Sequence, residues 1–164
     1  MKDIYTKYSK MRLFWLVLLR VLIGWYFLYE GMAKLFTPNW SASAYLLDSK
    51  GLFAPLFTLL AENPTLLSVT NFINIYGLIL VGLSLILGLF NKLGYWGAIV
   101  FLILFYLSHP PMLNVEYLLP AEGSYLWVDK NLVMLGAVMV LSYFPTSHLI
   151  GFDRIIFANR KKHN

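Results

Sequence analysis

Residues 14–36 read FWLVLLRVLIGWYFLYEGMAKLF, an apolar run that also carries Arg20, Glu30 and Lys34. At ~1.5 Å per residue such a run reaches roughly 34 Å, enough to cross a bilayer with some tilt. A helical period of about 100° per residue puts Arg20, Gly24, Phe27, Gly31 and Lys34 within about 80° of one another, with Glu30 roughly 40° beyond them. The charges and both glycines therefore share one face. Charge is costly at membrane depth and normally faces a bundle interior or a water-filled cavity. The run is thus expected to form the inner wall of a polar pocket in a helical membrane protein.

Composition agrees. Only 13% of the 164 residues are charged and 59% are hydrophobic, against about 25% charged in soluble domains. The net charge of +5 does not point to nucleic acid, because the basic residues gather at the chain ends and no nucleic-acid-binding motif accompanies them. Cysteine is absent, which excludes disulfides, thiol–disulfide exchange by this chain and thiolate metal sites. Any redox role must use a cofactor or quinone. The N-terminal region has the outline of a signal peptide, with Ser41–Ala44 as small residues for cleavage. Its apolar run is longer than the ~7–15 residues of such a segment and contains charges, so it is read as an uncleaved helix.

The expected architecture is all-α: a polytopic membrane protein, a single 1–164 domain with a four-transmembrane-helix bundle at about 14–36, 71–90, 93–108 and 126–144. Basic tails cover 1–13 and 145–164. Pro38 ends the first helix. The segment from Trp40 to Leu60 is too apolar for a free loop and is expected to hold two short interfacial helices broken at Gly51 and Pro64. In the second span Asn74, Gly77, Val81, Ser84 and Gly88 form a small-residue face suited to close packing. The short Asn91-Lys92 turn makes the second and third helices antiparallel neighbours. Nine Lys or Arg residues flank the helices on one side and only Lys50 on the other. Both termini are therefore expected to be cytoplasmic, and both long loops external.

That topology brings polar groups from every helix to the outer end: Glu30 and Lys34, Asn71 and Asn74, His109, then Trp127, Asp129, Lys130 and Asn131. Arg20 alone lies toward the cytoplasmic half. Each has an ordinary structural reading. Glu30 and Lys34 are an i,i+4 pair, Lys34 and Lys130 can snorkel, Asp129 can cap a helix, and His109 can bond a loop carbonyl. Together, cations and donors beside aromatic residues suit a quinone head group. Arg20, Glu30, Lys34, Asn74, His109, Lys130 and Asn131 are the candidate ligand-binding residues; Glu30, His109 and Asp129 are the candidates for proton transfer. Trp15, Trp25, Tyr26, Phe27 and Tyr29 are the candidate apolar wall. Haem is less favoured, because His148 lies at the other end from His109 and Met112 would need an unusual arrangement to ligate. No metal is expected, since one histidine and scattered carboxylates have no ligand spacing.

The residues Arg20-x3-Gly24, Glu30-Gly31-x2-Lys34, Tyr45-Leu46, Ser49-x-Gly51, Gly82-x5-Gly88, His109 and Asp129-Lys130-Asn131 resemble the DoxX family over about residues 12–150. That family includes the DoxD-type small subunit of thiosulfate:quinone oxidoreductase. The resemblance implies a small four-helix protein of a bacterial inner membrane. It also implies sulfur-compound oxidation with quinone as acceptor, in complexes with soluble redox enzymes. No residue here speaks for thiosulfate itself. The leading expectation is a quinone-interacting membrane subunit of an oxidoreductase, surrounded by lipid, with a soluble or peripheral redox partner. The alternatives are a non-catalytic anchor or assembly subunit, and a small-solute or proton carrier built as a homo-oligomer.

Overall fold

The fold follows from where each apolar run can be capped. In a computed structural model, the residues described are 9–111, 117–118 and 126–154. Helix α1 spans Lys10–Phe36. It starts four residues before the apolar run because the Ser9 hydroxyl accepts from the Arg12 N–H, capping the first turn. Two short helices follow, α2 (Ser43–Leu47) and α3 (Ala54–Glu62). Then come α4 (Pro64–Leu87), α5 (Asn91–Ser108) and α6 (Lys130–Tyr143). Among the described residues three helices, α1, α4 and α5, are long and apolar enough to cross a membrane.

Two boundaries differ from expectation for identifiable reasons. The second short helix does stop before Pro64, at Glu62, but Pro64 also begins α4, seven residues ahead of the expected Asn71. The Asn63 carboxamide accepts from the N–H groups of Thr65 (3.0 Å) and Leu66 (3.2 Å), and proline at the first helical position lacks the N–H that would need a partner. The last helix starts at Lys130, not 126. Leu126 and Trp127 hold positive φ angles of 37° and 67°, and the Asp129 carboxylate accepts from the Leu132 N–H at 2.8 Å. At 14 residues α6 is ~21 Å long, shorter than α1, α4 and α5.

The long helices pack in a ring, α1 on α4, α4 on α5, α5 on α6 and α6 on α1. Backbones meet closely between α1 and α4. A Cβ on Gly31 would stand 2.9 Å from the Ile79 nitrogen, so only glycine fits. The small-residue face of α4 turns to α5, where Gly77 meets Phe101 and Ser84 meets Gly94. Phe27, Leu78, Leu85, Leu102, Val138 and Leu141 fill the centre. Outward stand Trp15, Trp25, Tyr29, Trp96 and many aliphatic side chains, about 40–70% exposed. This is the surface that contacts lipid.

The two short helices cap one end of the bundle. Ala42, Leu46, Phe57 and Ala61 form a second core against Trp40, Leu67 and Leu107. Asn71 anchors this cover by accepting from the Ala42 N–H at 2.8 Å. The opposite end is closed by residues 145–154, the first part of the expected basic tail. Thr146, Ser147 and Asp153 are buried there, and the Asp153 carboxylate accepts from the Phe90 N–H at 2.9 Å. The basic residues Lys2, Lys7, Arg160, Lys161 and Lys162 of the expected tails lie outside the described residues, as does Met112.

Candidate functional site

The end of the bundle beneath α2 and α3 collects the polar residues. Lys34, on the last turn of α1, pairs with Glu30 one turn earlier at 3.5 Å. The Lys34 ammonium also sits over the rings of Trp40 (5.5 Å) and Phe105 (5.6 Å). Its side chain is 17% exposed, so it points inward and does not snorkel. A second cation, Lys130, lies 4.8 Å from the centre of the Tyr26 ring. Such contacts hold an ammonium through the negative face of the ring. The rings continue inward from Tyr26 to Phe27, Phe101 and Phe105. The aromatic wall is therefore Tyr26, Phe27, Trp40, Phe101 and Phe105. Trp15, Trp25 and Tyr29, expected to belong to it, face lipid instead, because the helical period turns them away from Lys34.

Asn74 on α4 adjoins Ile75, whose carbonyl lies 3.0 Å from the Cβ position of Gly31. This sets Asn74 at the level of Gly31. Its Oδ1 is buried with no hydrogen-bond partner among the described residues. Asn131 and Asp129 are engaged with each other. The Asn131 amide donates to the Asp129 carboxylate at 2.9 Å, while the other Asp129 oxygen caps α6. Arg20 is remote from this cluster. It is buried at the opposite end and donates to Thr146 Oγ1 (3.0 Å) and the Ile150 carbonyl (2.9 Å).

His109 caps the end of α5 and is stacked on Tyr45, with ring centres 4.1 Å apart and planes 27° apart. Tyr117 packs against it at 4.7 Å. The Ser108 hydroxyl hydrogen-bonds His109 Nδ1 at 3.0 Å. On the other side of the ring, Nε2 lies 3.7 Å from Asp48 Oδ2, whose side chain is 1% exposed. That separation exceeds a hydrogen bond and becomes an ion pair when the ring is protonated. Burial pushes the His109 pKa below the ordinary imidazole value, with Asp48 pulling it back. Burial also pushes the Tyr45 and Tyr117 phenols up; a side-chain hydrogen bond with Ser108 works against this at Tyr45.

Sequence reasoning did not single out Asp48, Tyr45, Ser108 or Tyr117 as site residues. One signal was available: Asp48 is the sole carboxylate between residues 37 and 61, in an otherwise apolar loop. Backbone bonds knit both loops to the same point. The Lys50 N–H donates to the Ser108 carbonyl at 3.2 Å, and the Leu118 N–H to Asp48 Oδ1 at 3.1 Å. The Tyr117 hydroxyl donates to the Pro110 carbonyl at 2.7 Å.

Apolar helices facing lipid around a capped, polar and aromatic end define a helical integral membrane protein. The family model DoxX matches residues 15–110, more than half of the chain and both elements that carry Lys34 and His109. The chain belongs to the DoxX family. Neither the comparison with curated proteins nor that with solved structures returns a match.

Proposed function

We propose that the chain is the membrane subunit of an oxidoreductase and binds a quinone head group in the aromatic end of the bundle. The observation that carries this reading is the Lys34 ammonium, held inward between Trp40 and Phe105 beside Glu30. A quinone needs flat apolar surfaces and donors for two carbonyl oxygens. The rings offer the first, and Lys34 and Lys130 offer the second; the unpaired Asn74 Oδ1 suits the hydroxyl of the reduced quinol. A quinone bound there would accept or deliver electrons and protons. Glu30 and His109 would take up and release those protons. Asp129 serves mainly as the cap of α6.

In this reading α6, with the turn before it, completes a fourth crossing. Both termini face the cytoplasm of a bacterial inner membrane and the α2–α3 cover faces outward, as the lysine and arginine distribution favours. The electron donor would be a soluble or peripheral redox subunit on the outer side. A pure anchor would present its charges to a partner, whereas Lys34 is largely enclosed.

Native mass spectrometry of the gently extracted complex tests the proposal. A stoichiometric quinone that disappears in Lys34→Met and Glu30→Gln, with the fold retained, is expected. A stable protein partner with no quinone on the chain would replace this reading with the anchor.

A further inference from the structure

Asp48 and Ser108 are not used by the proposed quinone site, yet they bracket His109. Both are buried, at 3% and 1% exposure. Ser108 engages Nδ1 at 3.0 Å, and Asp48 stands 3.7 Å from Nε2. His109 Nε2 is itself buried and lacks a hydrogen-bond partner among the described residues. A buried ring nitrogen is normally satisfied. Here it faces a carboxylate slightly beyond the ~2.7–3.2 Å range of a hydrogen bond, and catalytic hydrogen bonds are often long before a ligand binds.

We propose that Ser108, His109 and Asp48 form a proton relay between the aromatic pocket and the outer loop face, with Asp48 the terminal acceptor and the group that positions the ring. The pocket side of the relay is fixed by Tyr45, which stacks on His109 and also meets Phe105 edge-on at 6.3 Å. Phe105 is the ring beneath the Lys34 ammonium. The outer side is fixed by Lys50, exposed and two residues beyond Asp48. The charged and titratable groups around the imidazole are Tyr45, Asp48 and Lys50 from the first loop and Tyr117 from the second.

The transfer balances as follows. The Ser108 oxygen takes a proton from the pocket as its own hydroxyl proton passes to His109 Nδ1. The Nε2 proton passes to the Asp48 carboxylate. Serine is unchanged, histidine stays neutral in the other tautomer, and Asp48 becomes the acid. Asp48 then gives that proton to water, and the ring regains its first tautomer when a proton comes back by the same route, from Asp48 to Nε2 and from Nδ1 through Ser108 to the pocket. This inference rests on the quinone reading only for the identity of the proton source.

The test uses the full chain in lipid nanodiscs with 15N-labelled histidine. There are three histidines in the sequence, so His109→Gln assigns the signal. The relay predicts a neutral ring at pH 7 whose N–H exchanges with water through Asp48. Asp48→Asn should slow that exchange by about tenfold or more, and Asp48→Glu should restore much of it. Unchanged exchange in a folded Asp48→Asn chain would overturn the relay. A second measurement needs no variant. Infrared titration of the wild type should show the Asp48 carboxyl and His109 ring bands changing together, as a coupled pair does; independent titration would overturn it. Tryptophan quenching by a short-chain quinone is read in the same samples. Loss of quenching in Lys34→Met but not in Asp48→Asn is expected. Absence of quenching in the wild type would sink the quinone reading while the exchange data still decide the relay.

Discussion

Arg20 on α1 and Thr146 beyond α6 are joined by a 3.0 Å hydrogen bond across 126 residues of sequence. The same guanidinium donates to the Ile150 carbonyl at 2.9 Å, and Asp153 is among its electrostatic neighbours. A charge that the sequence places at membrane depth thus serves as a clasp between the first helix and the segment after the last.

Removing this clasp leaves buried acceptors without donors. A charge-assisted hydrogen bond contributes about 1.5–3 kcal/mol, and an orphaned buried partner adds a penalty of similar size. Arg20→Met is expected to destabilise the protein by about 3 kcal/mol, read as a lower unfolding temperature in detergent. Arg20→Lys should recover little, because one ammonium cannot reproduce the planar fork. Ligand binding at the other end should be unaffected in folded material; a selective loss of quinone there would contradict the separation of the two ends.

Gly88 is the second part of that closure. It ends α4 with φ +66°, and an added Cβ would stand 2.8 Å from the Gly151 Cα and 3.2 Å from the Arg20 guanidinium. Gly88→Ala therefore combines left-handed strain of ~1–2 kcal/mol with displacement of the 146–154 segment. Gly136 on α6 has nothing within 4 Å of its Cβ position, and Gly136→Ala should be neutral or stabilising by ~0.5–1 kcal/mol. Thermal unfolding of the two variants side by side checks the contrast.

The early start of α4 depends on Asn63. Asn63→Ala removes the acceptor for two N–H groups and should cost about 1 kcal/mol. Hydrogen exchange should rise at residues 65–70 and stay low from Asn71 onward. Uniform exchange along the helix would mean the cap is dispensable.

The long apolar helices were legible because their hydrophobic runs exceed the bilayer thickness and charges mark their ends. The pairing of Glu30 with Lys34 was legible from spacing alone. Asp48 was not, because its role depends on two loops meeting the end of α5, a relation set by tertiary packing. The burial of residues 145–154 was not read from the sequence either. Leu149 and Asp153 are buried, and the apolar stretch Leu149-Ile150-Gly151-Phe152 was the available signal. The start of α6 depends on positive φ angles at Leu126 and Trp127, which neither residue type advertises.

His109 makes stability depend on pH. Burial holds its folded pKa below the unfolded value of about 6.5. Between those two values the unfolded chain binds more protons, so stability rises with pH. The contribution is fully present above about pH 6.5 and is lost as the pH falls from there through the folded value. Unfolding in detergent from pH 8 to pH 5 should show a loss that begins near pH 6.5, beyond any general acid sensitivity. His109→Gln should abolish that component, since glutamine does not titrate. Asp48→Asn should enlarge it, because the carboxylate is the group that favours the protonated ring. Greater stability of the wild type at pH 5 than at pH 7 would show instead that attraction to Asp48 outweighs burial, and would reverse the sign assigned here.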